Sequence, residues 1–147
     1  MDEECRHYKI DTRQSLPSEY YTVLLGVAIC VFNSNNGFII ENILRNDNNK
    51  VYNWSDLIDM TSGKLSSPIK ETITKNSNTD IAQKFSDLVE KRNRIIHSFQ
   101  ITDYDGEQRL QTKDKNNKQY VITEMYLKEF IKQNEELSTA LHEFRGY

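Results

Sequence analysis

One amphipathic stretch constrains this chain more than any other. Between Asp80 and Gln100 the apolar residues Ile81, Phe85, Leu88, Ile95 and Phe99 recur at three-, four- and seven-residue steps. That spacing predicts a helix over about 79–99, and Ser77-x-x-Asp80 resembles a capping box that would start it. On a wheel of ~100° per residue the five fall in one narrow arc. Arg92 lands in the middle of that arc. Its guanidinium stays charged, and burying it alone costs on the order of several kcal/mol. The fold must therefore give Arg92 a carboxylate, a wet cleft or another subunit.

The same period appears on both sides. Ser15-Leu16-Pro17-Ser18-Glu19 reads as a helix start, with Ser able to cap and Pro tolerated in a first turn. The stripe Leu24, Ala28, Val31/Phe32, Ile39/Ile40, Ile43/Leu44 follows it. Asn33-Ser34-Asn35-Asn36-Gly37 interrupts that stripe without shifting its phase. It is either a turn or part of one long or kinked helix. Asn53 would cap a short helix over Trp54–Met60, and Ser67-Pro68 would open another with Pro at its first position. Thr123 would cap a last helix whose stripe is Leu127, Phe130/Ile131, Asn134, Leu137, Leu141 and Phe144, with Gly146 ending it.

Between those last two helices the period changes. Phe99–Thr102, Glu107–Thr112 and Gln119–Thr123 carry alternating and β-branched residues, with turn chemistry at Tyr104-Asp105-Gly106 and Lys115-Asn116-Asn117. The expected fold is mainly α: a compact helical bundle with a small β-hairpin or meander, about 100–122, inserted before the last helix. Residues 1–15 read as a polar arm. The whole chain of 147 residues reads as a single domain.

Composition excludes several function classes. Lys+Arg number 19 and Asp+Glu 22, a net charge of −3, so the chain is no basic nucleic-acid coat. Two cysteines make no disulfide scaffold, and they show no zinc-ligand spacing with His7, His97 and His142. No metal and no cofactor is expected. The longest apolar run, Val23–Phe32, is short of the ~20 residues that span a bilayer. The start, Met1-Asp2-Glu3-Glu4-Cys5, is acidic where a signal peptide is basic. A cytoplasmic protein with free thiols and no membrane association is the expectation. Cys30 reads as inert core, and His7 and His142 are given no role.

Arg92-Asn93-Arg94-Ile95-Ile96-His97 places a fixed cation, an amide and a titratable base within one and a half turns. The set suits cleavage of an RNA phosphodiester. An imidazole can take the proton of a ribose 2′-OH or give one to the leaving oxygen. A guanidinium can hold the phosphate by two parallel hydrogen bonds. The amide can orient the imidazole or bond a phosphate oxygen. Lys91 and Arg94 are candidate phosphate contacts, although an Arg94–Glu90 pair four residues apart is the ordinary reading. Asn35 and Asn36 would approach this cleft only if the first helix is continuous.

These residues carry a resemblance. Arg-polar-x-x-x-His near the end of a helix, in a small helical domain, resembles the HEPN superfamily motif (higher eukaryotes and prokaryotes nucleotide-binding), here Arg92, Asn93 and His97. The resemblance implies a homodimer whose two motifs line one cleft. It also implies metal-independent endoribonuclease activity on RNA, commonly in toxin–antitoxin or phage-defence systems, with an antitoxin or regulatory protein as partner. Two features depart from the family pattern. One subgroup has Tyr two residues after the His, where this chain has Phe99, and the β-ribbon is not part of the minimal four-helix pattern. Two other readings stand beside the enzyme: a non-catalytic dimeric interaction module, and a nucleotide-binding regulator in which Arg92 holds phosphate without cleaving anything. An Arg92 sealed in an ion pair would favour a purely structural role.

Overall fold

The structure, a computed structural model, describes residues 12–77 and 80–146. Cys5, His7 and most of the polar arm expected over residues 1–15 lie outside them. Five helices and one small sheet follow in order: α1 (Glu19–Arg45), α2 (Trp54–Asp59), α3 (Ser66–Glu71), α4 (Ile81–Ile96), β1 (Phe99–Thr102), β2 (Gln108–Lys113), β3 (Gln119–Ile122) and α5 (Glu124–Arg145). Short 3₁₀ turns at Ser62–Leu65 and Thr74–Asn76 flank α3.

α1 is one continuous helix, so the in-phase stripe outweighs the polar interruption. Ser18 caps it, its Oγ accepting from Tyr21 N at 3.2 Å, and Pro17 stands just ahead of the cap rather than in the first turn. Asn33–Gly37 are poor helix formers, but two of them have partners elsewhere in the fold. Asn35, 4 % exposed, donates Nδ2 to Asn134 O (2.8 Å) and Oδ1 (3.0 Å) on α5. Asn134 in turn donates to Phe130 O at 2.9 Å. Asn36 Oδ1 accepts from Ser62 Oγ at 2.9 Å. Neither amide bonds His97. Continuity also makes α1 long and apolar enough, by length and composition, to cross a membrane. The ten-residue run Val23–Phe32 alone is too short for this, because it stops at the asparagines.

α5 begins where Thr123 Oγ1 accepts from Tyr126 N at 3.0 Å and ends at Gly146, φ +92°. It runs parallel to α1: Lys128 lies over Tyr20, Asn134 bonds Asn35, and Arg145 reaches Glu41. α4 packs on α5 through Lys91, which is bonded to Gln133 and whose carbonyl meets the Tyr126 hydroxyl. The three helices meet on Phe32, whose ring stacks on Phe85 of α4 (6.0 Å) and Phe130 of α5 (6.2 Å). Around them are buried Leu24, Ala28, Ile39, Leu88, Leu127 and Leu137, with Leu57, Leu65 and Ile69 closing one flank.

Several boundaries differ from the sequence reading. Asp80, not Ser77, occupies the cap position of α4, and its side chain makes no capping bond. α4 stops at Ile96, and Phe99 leaves the helical stripe to pair with Gln111 in β1, half exposed. Once β2 offers a ladder, the β-branched segment after His97 gains more from pairing than from another helical turn. Pro68 is the third residue of α3, because the 3₁₀ turn already supplies the start. Cys30 is exposed, on the outer face of α1, and not core.

The sheet is antiparallel, in the order β1-β2-β3, with registers Phe99↔Gln111 and Leu110↔Ile122. Gly106 (φ +86°) and Asn117 (φ +63°) take the left-handed positions in its two turns. One side chain fixes the sheet to α1. Tyr21 is 1 % exposed, and its hydroxyl donates to Ile122 O at 2.6 Å and accepts from Leu110 N at 3.0 Å. Burial raises its pKa, the Leu110 N–H opposing. Tyr21→Phe leaves two buried backbone groups unpaired and is expected to cost ~1–3 kcal/mol in a urea titration. The folded pKa lies above the unfolded value, so this contribution is full below pH ~10 and falls as pH rises beyond it. The wild type is therefore expected to lose more stability than the Phe variant in that alkaline range.

Candidate functional site

The last turn and a half of α4 carries the candidate residues. Arg92 follows Leu88 by four residues and precedes Ile95 by three, so the helix aims it inward. Its Cζ lies 4.9 Å from the Phe32 ring centroid, on the aromatic cluster where the three long helices meet. Among the described residues no carboxylate lies within ion-pair distance of it. Its Nε is buried without a hydrogen-bond partner. Burial lowers the guanidinium pKa, with no opposing charge among the causes. A ring face attracts a cation by about 0.5–2 kcal/mol, which does not replace a full hydration shell. Arg92 is thus half-buried, positive and, among the described residues, uncompensated.

Asn93 and His97 lie on the adjoining flank, one turn apart, with His97 N donating to Asn93 O at 2.9 Å. Asn93 is half-buried and its side chain makes no hydrogen bond to described residues. His97 ends the helix at φ −95°, ψ 39°, and its ring is exposed. Helical geometry sets it about 140° around the axis from Arg92. The two therefore flank the end of α4 rather than stack. Exposed Ile96 (54 %) and Phe99 (49 %) border His97 in sequence.

The other two cations are engaged elsewhere. Lys91 donates to Gln133 Oε1 at 2.6 Å, on the side of α4 that faces α5. Arg94 pairs with Glu90 at 3.5 Å and donates to Lys113 O, joining α4 to the end of β2. The ordinary reading of the Glu90–Arg94 spacing is the one observed. A cavity of about 430 Å³ runs along the α4–α5 seam, lined by Lys84, Asp87, Leu88, Glu90, Lys91, Gln133 and Glu136. Its three carboxylates outnumber its two ammonium groups, which suits a phosphate poorly. Of the five candidates, Arg92, Asn93 and His97 have no side-chain hydrogen bond or ion pair among the described residues, while Lys91 and Arg94 hold the frame.

Sequence reasoning missed Phe32 as the support of Arg92. Its only signal was membership of the α1 stripe, which says that it is buried and not against what.

Comparison of the chain with protein-family models, with curated proteins and with solved structures found no match in any of the three.

Replacing Arg92 by Met keeps an unbranched stem on Phe32 and removes the lone charge. Unfolding free energy is expected to stay level or rise by about 1 kcal/mol. A fall of 2 kcal/mol or more in urea titration would mark Arg92 as a stability element instead.

Proposed function

We propose that the chain is a metal-independent endoribonuclease of HEPN type, a helical bundle acting as a homodimer in the cytoplasm. In this reading Arg92 holds the scissile phosphate, His97 is the acid/base and Asn93 orients the imidazole or the phosphate. The 2′-oxygen attacks phosphorus as its proton passes to His97. The bond to the 5′-oxygen breaks and that oxygen takes a proton from solvent, leaving a 2′,3′-cyclic phosphate. A toxin or phage-defence effector, with an antitoxin or regulatory protein as partner, is the setting this activity fits.

The observation that carries the reading is Arg92, which meets no carboxylate among the described residues. A cation half-withdrawn from water with no carboxylate partner favours an anion more strongly than a solvated one does. A net charge of −3 gives little non-specific attraction for RNA, so binding would depend on this local cation and on shape. A second reading, a dimeric interaction or nucleotide-binding module that holds phosphate without cleaving, is favoured by the engagement of Lys91 and Arg94. With them occupied, the basic surface around Arg92 is small.

The test is cleavage of labelled structured and single-stranded RNAs with EDTA present. Wild type should leave cyclic-phosphate ends, and folded His97→Ala and Arg92→Ala should each lose ~100-fold or more of the rate. Undiminished cutting by His97→Ala would sink the assignment. Absence of cutting, together with nucleotide-induced thermal stabilisation that Arg92→Ala abolishes, would select the second reading.

A further inference from the structure

We propose that the basic end of the β-ribbon is the surface that holds the substrate, and that the substrate class is single-stranded RNA. The inference deepens the ribonuclease reading and rests on it for the cleavage site, while its test reads binding alone.

The ribbon sorts its charge by end. The turn from β1 to β2 carries Asp103, Asp105 and Glu107, and the cation beside it, Arg109, is paired with both aspartates at 2.9 and 2.8 Å. The turn from β2 to β3 carries Lys113, Lys115 and Lys118, all exposed. The acid among them, Asp114, is turned into the backbone, where its Oδ1 accepts from Asn116 N at 2.8 Å and Lys118 N at 3.0 Å. That carboxylate builds the turn, and Asn117 at φ +63° completes it. Lys113 donates to Asn117 Oδ1 at 2.8 Å, which keeps its charge at the tip. Three ammonium groups thus stand together on a chain whose net charge is −3. A polyanion is repelled by the rest of this molecule and attracted here.

The strand register decides which end meets the candidate site. Phe99 pairs with Gln111, and the same register continued brings Lys113 to the level of the His97–Ser98 joint. Arg94, in the last turn of α4, donates to Lys113 O and fixes that approach. The basic tip therefore extends beside the exposed His97, and the acidic turn lies at the opposite end of the ribbon. Lys91 and Arg94 are engaged within the fold, so the phosphate contacts come from a different element.

The class of RNA follows from Phe99, which is 49 % exposed. Pleating puts it on the outer face of the sheet with Gln111 and Lys113, away from buried Thr112 and Ile122. Lys113 follows Gln111 by two residues, about 7 Å along the strand. At that spacing one nucleotide can stack its base on the ring and set its phosphate at the ammonium. An unpaired base offers its face to a ring, whereas a base inside a duplex does not. Stacking accepts every base, so little sequence preference is expected.

The test is fluorescence anisotropy of labelled 2′-O-methyl RNA oligonucleotides, which bind without being cut, over a range of salt. The full chain should bind a single strand ~10-fold more tightly than the matching duplex. Lys115→Gln/Lys118→Gln should weaken binding ~10-fold and lower the slope of log K against log salt by about 1.4, since each single-strand phosphate contact carries about 0.7. Lys64→Gln/Lys70→Gln makes the same charge change on the α3 flank and should leave the slope unaltered. Phe99→Leu keeps apolar bulk and should lose the preference for single strands, while Phe99→Tyr retains it. Each variant is first shown to be folded by circular dichroism. Absence of binding at low salt, an unaltered slope in the hairpin variant, equal loss in both lysine pairs, or a preference for duplex overturns the proposal. So does equally tight binding of polyglutamate, which would assign the tip to an acidic protein. The expected binding by a chain that never cuts unmodified RNA would sustain this surface and remove the ribonuclease reading.

Discussion

The Phe32 ring is the contact on which the rest of the molecule depends. It comes from the middle of α1, lies between an aromatic ring of α4 and one of α5, and is almost fully buried. Three helices are thereby held by one side chain at one depth. The same ring carries the guanidinium of Arg92. The most withdrawn cation of the site is thus placed by the core itself, so its position is as fixed as the packing. His97 is set differently, by the end of a helix and the start of a strand, where the backbone alone decides its direction.

Polar contacts add what apolar packing leaves open. An apolar stripe allows one helix to slide along another by a turn, whereas the Asn35–Asn134 contact is satisfied at one offset only. The Tyr21 hydroxyl does the same for the sheet, since its two partners lie on β2 and β3. Buried polar groups cost stability unless paired. Here the pairs join elements far apart in sequence, and so they specify the arrangement as well as stabilise it.

Periodicity and local capping were legible in the sequence. The in-phase stripe across Asn33–Gly37, the Asn53 and Thr123 caps, the three strands and Gly146 all follow from interactions within a few residues. The failures involve choices made by distant partners. Phe99 reads both as the end of the α4 stripe and as the start of the first strand, and only its pairing with Gln111 decides for the strand. Cys30 sits in an apolar run and reads as core, although the run belongs to a helix covered on one side only. At the site, Arg92 was conspicuous because a cation breaks an apolar pattern. Neither Phe32 beneath it nor the lack of a carboxylate near it among the described residues could be read from spacing, because both depend on how α1 and α4 cross.

The parallel course of α1 and α5 has a mechanical consequence. The chain enters α1 at the sheet end and leaves α5 at the far end, about 33 Å away along a helix of 22 residues. Tension applied across those two points pulls α1 and α5 in opposite directions along their common axis. The load then falls on the whole α1–α5 contact in shear, with the Asn35–Asn134 bonds and the apolar stripe strained at once. Unfolding under force therefore has no edge from which to peel, and the long contact gives way as a unit.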